Sequence, residues 1–424
     1  MSDAKPPAGT SASTPLSPPL SPPHSTPLSP LAGVRIADFT IHAAGPFCTH
    51  MLSQMGAECI KIESRSRPDA FRKPHAVYGR MEAATFDQES SNKLSVRLNL
   101  KDAEGVALAR RIVALSDVAA ESFRPGVMRR LGLDFDALCA VKSDIVMLSL
   151  SASGQTGPDS HFAGYAPLFG AWGGLGWMTG YSDGPPVEMR HVMDHTAGLH
   201  AALAVVAALH QRRRTGRPQH VDLAAREVAS AMVGDALVQA SLGEQPVRPG
   251  NGHAGMSPHG VFATARPDRW LTLAVRTDAE WQALATRLGH AAYATDPRFA
   301  HAADRLARWQ EVDALVGGWL ASVDADDISA QLQADGVAAH VSWTIADLAA
   351  DGHLRARGAV TQVEAAGIPS RAAVGALARF SATPDVGIRR LTPALGQDED
   401  YVFGELLGMS SSTRRALEAR EVIY

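Results

Sequence analysis

Cysteine is scarce in this sequence. Cys48, Cys59 and Cys139 are the three that occur in its 424 residues. Their odd number and wide spacing fit neither a disulfide framework nor the paired ligands of a zinc site. We therefore expect a reducing, cytoplasmic compartment for this chain.

The sequence also lacks an excess of positive charge and a long apolar run. The formal net charge is -4 and the isoelectric point is near 6.5, which argues against a nucleic-acid partner. No stretch reaches the ~18–20 apolar residues that cross a bilayer, and residues 198–209 come closest. The N-terminus has no apolar centre of the kind found in signal peptides. We therefore expect neither nucleic acid nor a membrane as a partner.

Two common nucleotide-binding fingerprints are missing. After the first predicted strand, residues 33–39, the chain reads AAGP at positions 43–46 where a dinucleotide site needs G-x-G-x-x-G. The P-loop pattern G-x-x-x-x-G-K-[ST] is absent as well. The missing glycine fingerprint argues against a nicotinamide-dependent dehydrogenase.

Short apolar runs alternate with helix-like segments over the first half of the chain. The predicted strands are residues 33–39, 58–63, 94–99, 117–121, 144–149 and 219–222, and the predicted helices include 47–55, 103–116, 194–213 and 223–242. This alternation predicts an α/β fold whose parallel sheet is covered on both faces. Residues 250–345 combine a strand with two helices and predict a smaller α+β unit. The Pro/Ser-rich residues 1–30 predict a disordered tail.

Asp194 stands at the predicted start of the long helix. An aspartate there can cap the helix by accepting hydrogen bonds from its first free amides. The same amides and the positive end of the helix dipole can also keep the carboxylate ionised, which makes it a nucleophile at neutral pH. His191 and His195 have the spacing of two metal ligands, but no third ligand is apparent, so we expect no metal site.

Three other features allow both a functional and a structural interpretation. Residues 168–181, LFGAWGGLGWMTGY, can wall an apolar ligand pocket or form a tight turn. The glycine-rich residues 250–255 can form a mobile lid or link two units. Four basic residues near predicted strand ends can hold phosphates or belong to a solvated face. These four are Lys101, Arg124, Arg129 and Arg130.

Six segments follow one another in a characteristic order. They are LAGVRIADFTIHAAGPFCTHMLSQMGAECIKIE, SSNKLSVRLNLKDAEG, ESFRPGVMRRLGLDFDAL, MTGYSDGPP, DHTAGLHAALAVVAALHQRRRTGRPQHVDLA and LARFSATPDVGIRRLTPALGQDEDY. In this order they resemble the class III CoA-transferases, a family that includes formyl-CoA transferase, carnitine CoA-transferase and benzylsuccinate CoA-transferase. The resemblance runs from about Leu31 to the C-terminus. Each segment is a weak signal alone, whereas the shared order is specific.

The resemblance implies a Rossmann-like large domain, a small domain, and an interlocked ring dimer. The large, CoA-binding domain would comprise residues 31–225 together with a C-terminal return at 346–424. A linker helix would occupy residues 226–249, and the small α+β domain would occupy 250–345. The partner in the ring would be a second copy of this chain, or a second subunit in a heteromeric enzyme.

The resemblance further implies an enzyme that moves CoA from an acyl-CoA, such as succinyl-CoA, to a free carboxylic acid. Asp194 matches the family's catalytic aspartate, which forms a mixed anhydride and then an aspartyl-CoA thioester. Tyr165 matches a tyrosine near the reacting centre, and Arg130 matches a phosphate partner. The positions that match CoA contacts are Leu98, Asn99, Leu100, Lys101, Ser122, Phe123, Arg124 and Arg130. No tightly bound cofactor is implied, because CoA and acyl-CoA are substrates.

Two departures from formyl-CoA transferase argue against oxalate as the acceptor. Ala43 replaces a glutamine, and residues 250–259, NGHAGMSPHG, replace a run of consecutive glycines. His253 or His259 can line the pocket instead. Large apolar side chains suggest a spacious pocket for a branched or aromatic acid. They are Phe169, Trp172, Trp177 and Met178.

Two alternative functions on the same fold stay open at this point. An acyl-CoA racemase resembles this chain but pairs its aspartate with a histidine where this sequence has Tyr165. Tyrosine, with a pKa near 10, is a poor base at neutral pH. A non-catalytic acyl-CoA-binding subunit would lack the aspartate, whereas Asp194 is present.

Overall fold

The structure is a computed structural model, and it describes residues 29–72, 84–189, 192–365, 368–383 and 386–424. Residues 1–28 of the predicted tail, and His191 of the histidine pair, lie outside the described residues. Within these ranges the chain builds a large parallel sheet, a three-stranded sheet and a two-stranded hairpin.

A six-stranded sheet forms the centre of the larger unit. Its strands are β1 (Arg35–Asp38), β2 (Glu58–Glu63), β3 (Leu94–Arg97), β4 (Val118–Glu121), β5 (Val146–Ser151) and β6 (Gln219–Ala224). Their spatial order is β3-β2-β1-β4-β5-β6, and every neighbouring pair is parallel, which confirms the predicted α/β fold. The order reverses between β1 and β4. In open sheets of this kind, ligands bind in the crevice beyond the carboxyl ends of the strands at such a reversal.

Helices cover both faces of this sheet. The helices of this part of the chain are α1 (Ala44–Gln54), α2 (Ala84–Ser90), α3 (Ala103–Ala114), α4 (Val127–Arg130), α5 (Phe135–Cys139), α6 (Ala166–Trp172), α7 (Leu175–Met178), α8 (Val192–Thr215), α9 (Ala225–Ala231) and α10 (Gly234–Ser241), with a 3₁₀ turn at Ala70–Arg72. One face of the sheet packs with α1, α8 and α9, and the other packs with α3 and with C-terminal residues. Burial on both faces explains why the strands read as nearly continuous apolar runs.

Helix α8 extends the predicted segment 194–213 by two residues at each end. Gly198 lets it lie close against α1, because a Cβ there would come 2.7 Å from the carbonyl oxygen of Ala44 and 3.0 Å from Cδ1 of Phe47. By length and composition alone α8 could also cross a membrane, which a count of consecutive apolar residues does not reveal. In this fold it packs against α1, β5 and β6 as a core helix of the sheet.

The second unit has a sheet and a hydrophobic core of its own. Antiparallel strands β7 (His259–Ala263), β8 (Trp270–Ala274) and β9 (Ala338–Val341) lie beside α11 (Asp278–Arg287), α12 (Ala302–Ala307), α13 (Trp309–Leu320), α14 (Ala325–Ala334) and a 3₁₀ turn at Ala291–Ala294. In β8, Leu271 and Leu273 are buried while Trp270 and Thr272 are exposed, so one face of the sheet meets the core. This arrangement confirms the smaller α+β part of the predicted fold.

The C-terminal segment contacts the large sheet. Its elements are α15 (Ile345–Ala350), α16 (Gly352–Ala356), the hairpin β10 (Val360–Ala365) and β11 (Ile368–Val374), a π-helix at Asp400–Leu406, and α17 (Ser411–Ala419). Val402 and Phe403 are fully buried in the core shared with α3. Asp398 accepts a hydrogen bond of 2.8 Å from the backbone amide of Ser95 and pairs with Arg390 at 2.7 Å. These contacts join the end of the chain to β3.

Candidate active site

A cavity of about 350 Å³ opens where the strand order reverses. Residues that follow β1, β4 and β5 line it, together with residues at the starts of α1, α6 and α8. Its lining includes Ile41, His42, Ala43, Phe71, Ser122, Phe123, Arg124, Ser151, Phe162, Tyr165, Phe169 and Asp194. The topology of the sheet therefore accounts for the position of the cavity.

Asp194 lines this cavity from the first turn of α8. Because α8 begins at Val192, Asp194 is a residue of the helix itself and not its N-cap, so the capping interpretation is wrong. Burial raises the pKa of its carboxyl group from 3.8 to about 6, and His195 opposes this rise. Desolvation thus outweighs the expected help from the helix start. The carboxylate still remains mostly ionised at neutral pH.

The segment after β4 forms the opposite wall. Ser122, Phe123 and Arg124, all predicted from the resemblance, line the same cavity as Asp194. The Ser122 hydroxyl accepts a hydrogen bond of 2.9 Å from the amide of Ile41 and donates one of 3.1 Å to its carbonyl. This pair of bonds ties the end of β4 to the end of β1. Arg124, whose guanidinium is a group suited to phosphates and carboxylates, follows two residues later and lines the cavity.

Tyr165 reaches the cavity from the N-cap position of α6 and is 65% exposed. Its ring meets the His42 ring edge-on, with the centroids 6.1 Å apart. His42 has a φ of 65°, in the left-handed region that few residues other than glycine adopt. Sequence reasoning did not identify His42, because a single histidine after a strand gives no sign of that backbone turn.

The remaining predicted CoA positions do not line this cavity. They are Leu98, Asn99, Leu100, Lys101 and Arg130. The first four follow the carboxyl end of β3, on the same edge of the sheet as the cavity. Leu98 is buried in the core beside α3, so its side chain is unavailable to a ligand. The Asn99 amide donates a hydrogen bond of 3.2 Å to the carbonyl of Glu421.

A buried cluster of charges lies beside the start of α1. Lys93 Nζ is 3.1 Å from Asp38 Oδ2 and donates a hydrogen bond of 3.0 Å to the carbonyl of Pro46. Lys61 Nζ pairs with Asp69 at 3.0 Å. Burial by itself would raise the pKa of Asp38, but Lys93 and Lys61 outweigh it and lower that pKa to about 2. The cluster therefore fixes the turn from β1 into α1, which bears part of the cavity wall.

Other residues singled out in the sequence lie elsewhere. His253 and His259, with ring centroids 5.2 Å apart, line a separate cavity of about 310 Å³ in the second unit. Of the four large apolar residues expected in the pocket, Phe169 lines the Asp194 cavity. Trp177 and Met178 line a third cavity of about 300 Å³, beside α9 and α10.

The described residues contain no group of three or more His, Cys, Asp or Glu side chains that could hold a metal ion. His195 lies 3.8 Å from the carboxylate of Glu89, on the side of α8 that faces α1 and α2.

The sequence matches a known enzyme family over most of its length. The profile of CoA-transferase family III matches residues 31–399. The chain therefore belongs to CoA-transferase family III, which confirms the resemblance carried by its motifs. It is an enzyme of the class III CoA-transferases, whose substrates are CoA thioesters.

Relatives with assigned activities are similar to nearly the whole chain. Succinyl-CoA–D-citramalate CoA-transferase of Chloroflexus aurantiacus is 33% identical over 398 residues, covering 93% of this chain and 98% of that protein. The beta subunit of succinyl-CoA–L-malate CoA-transferase from the same organism is 32% identical over 400 residues, covering 93% and 98%. The crystal structure of a CaiB/BaiF family protein from Brucella suis superposes with a TM-score of 0.81 at 30% identity, covering 89% of this chain and 99% of that one.

Proposed function

We propose that Asp194 is the nucleophile that carries CoA from an acyl-CoA donor to a free carboxylic acid. The observation behind this proposal is the position of the half-buried Asp194, which lines the cavity at the strand reversal from the first turn of α8. A carboxylate is suited to this reaction, because acid anhydrides and thioesters exchange readily with one another.

The proposed reaction has four balanced steps. The Asp194 carboxylate attacks the donor thioester, which gives a mixed anhydride and CoA thiolate. The thiolate attacks the aspartyl carbonyl, which gives an aspartyl-CoA thioester and releases the donor acid. The acceptor carboxylate attacks this thioester, which gives a second anhydride and frees the thiolate again. The thiolate then attacks the acceptor carbonyl, which gives the new acyl-CoA and restores Asp194.

The cavity supports specific roles for its other residues. Arg124 lies where it can hold an anionic group of either substrate. Ile41, Phe71 and Phe169 give the cavity apolar walls that exclude water from the anhydride. Succinyl-CoA is the proposed donor, because the relatives from Chloroflexus aurantiacus carry its name.

Two copies of the chain are proposed to form the working enzyme in the cytoplasm. Large apolar side chains are exposed along α8 and α10, including Leu203 at 69% and Leu237 at 66%. Several large exposed apolar side chains on these two helices favour coverage by another protein surface. A relative named as a beta subunit makes a heteromeric partner the alternative occupant of this face.

Trapping the covalent intermediate tests the proposed nucleophile. The purified protein would be incubated with succinyl-CoA, quenched with hydroxylamine, and analysed by intact-mass and peptide mass spectrometry. We expect a hydroxamate at Asp194, because hydroxylamine cleaves both anhydrides and thioesters. Asp194→Asn is the matched control, since an amide of the same size is a far weaker nucleophile.

Each other outcome has a defined meaning. Turnover retained by Asp194→Asn, or a hydroxamate at a different residue, would remove Asp194 from the mechanism. Exchange of the α-proton of an acyl-CoA in deuterated water, without any adduct, would identify a racemase. A panel of further acyl-CoA donors distinguishes an unreactive donor from an inactive subunit.

A further inference from the structure

Glu89 is a buried carboxyl group to which the proposed reaction gives no role. It lies on α2 and is 1% exposed. Within the described part of the chain, neither of its carboxyl oxygens has a hydrogen-bond partner. Its Oε1 lies 3.8 Å from Nε2 of His195, the residue that follows Asp194 on α8.

The charged groups around Glu89 are largely committed to one another. Lys93 pairs with Asp38 at 3.1 Å, and Lys61 pairs with Asp69 at 3.0 Å. Burial raises the pKa of Glu89 to about 8; Lys93 and Lys61 oppose this rise, while Asp69 and Asp194 add to it. The carboxyl group of Glu89 is therefore mostly protonated at neutral pH.

His195 connects Glu89 to Asp194 and to solvent. Its ring packs against Phe47 of α1, with the centroids 4.4 Å apart, and its side chain is one-third exposed. A proton can lie on Glu89 or on His195, and the pair has no net charge in either arrangement. A proton on His195 can also exchange with solvent, whereas Glu89 itself is enclosed.

We propose that Glu89 and His195 are a positioning pair that together carry one proton behind Asp194 throughout the reaction. The pair does not touch the substrates, because neither residue lines the cavity. Its role is electrostatic. While the proton is held, the pair adds no net charge beside Asp194. Loss of the proton adds a second negative charge, which repels the anionic donor and acceptor.

This inference rests on the proposed role of Asp194, and its first test is the pH dependence of kcat/KM. For the wild type we expect kcat/KM to fall above pH 8, by about tenfold between pH 7 and pH 9, as one group loses its proton. Glu89→Gln keeps the size of the side chain but cannot ionise. The kcat/KM of this variant at pH 9 should therefore stay close to its own value at pH 7.

Asp87→Asn is the matched control on the same helix, because Asp87 pairs with Arg371 and not with His195. It should keep the alkaline fall of the wild type. His195→Gln should move that fall to lower pH, because glutamine cannot take up the proton of Glu89. The proposal is wrong if kcat/KM of Glu89→Gln and of His195→Gln both fall above pH 8 as kcat/KM of the wild type does.

A stability measurement tests the pair without relying on activity. Between pH 5 and pH 8, the folded wild type would keep a proton on Glu89 that the unfolded chain has released. Urea unfolding should therefore show the wild type losing stability relative to Glu89→Gln as the pH rises through this range. The proposal would be overturned if the free energies of unfolding of the wild type and of Glu89→Gln changed in parallel with pH. A hydroxamate at a residue other than Asp194 would instead remove the proposed nucleophile and leave this stability result interpretable.

Discussion

At the scale of single residues, Asp194 combines two opposing effects. The helix start favours its anion, while burial raises its pKa from 3.8 to about 6. If Asp194 must be ionised to attack, kcat/KM should rise by about tenfold per pH unit below pH 6 and level off above it. Initial rates with saturating acceptor between pH 4.5 and pH 7.5 check this. A flat profile over that range would contradict the assignment.

The raised pKa of Asp194 also predicts that its ionisation lowers the stability of the fold. Between pH 3.8 and about pH 6 the folded state holds a proton on Asp194 that the unfolded chain has lost, so stability falls as the pH rises. Asp194→Asn removes this loss. We expect the variant to gain about 1–2 kcal/mol in free energy of unfolding at pH 8 and almost nothing at pH 3. Urea unfolding at both pH values is the measurement, and a less stable variant at pH 8 would contradict the burial argument.

At the scale of elements, the close contact of α1 and α8 places Asp194. Gly198→Ala adds a Cβ that would lie 2.7 Å from the carbonyl oxygen of Ala44, so α8 must move away from α1. We expect a loss of about 1–3 kcal/mol in stability, despite the better helix propensity of alanine. We also expect kcat to fall more than the KM for acyl-CoA changes, because Asp194 would be displaced.

Gly318→Ala is the matched control for this prediction. Gly318 also lies inside a helix, α13, but a Cβ there would meet nothing within 4 Å. Unfolding curves and steady-state kinetics of the two variants should therefore differ. Equal effects would show that the contact between α1 and α8 does not position Asp194.

Elements with a local signal could be predicted from the sequence. The apolar runs at 58–63 and 117–121 became β2 and β4, because strands buried on both faces need such runs. The helix bearing Asp194 was also predictable, but its start was not. The helix dipole and the N-cap depend on residues close to the helix end in sequence. The pKa of Asp194 depends instead on burial by segments that are distant in sequence. For the same reason Glu89, buried on α2 beside His195 of α8, gave no local signal.

At the scale of the whole molecule, long-range contacts set the limit of prediction. Ser95 and Asp398 meet although 303 residues separate them, and no periodicity reveals such a pairing. The motif order did reveal the family, because six weak signals in one order are specific. Ser122, Phe123, Arg124 and Tyr165, carried over from the resemblance, lie with Asp194 around one cavity. Leu98 does not, since the side chain after β3 turns into the core.

The exposed side of α8 gives a prediction for the assembly. Leu199, Leu203 and Val206 follow helical spacing and are all exposed in the single chain. If a second copy covers them, Leu203→Asp places a charge in an apolar interface, which strongly disfavours the dimer. Light scattering after size-exclusion chromatography should show a dimer for the wild type and a monomer for the variant.

Leu115→Asp is the control for the assembly. Leu115 is also an exposed leucine, but it is the C-cap residue of α3 and belongs to neither α8 nor α10. It should leave the dimer and the activity intact. If the wild type is a monomer with full activity, the interlocked dimer is excluded. If the wild type is inactive alone but becomes active when a second, different chain is added, the enzyme is heteromeric. If Leu203→Asp is monomeric and inactive but still folded by circular dichroism, the second copy is needed for catalysis and not only for stability.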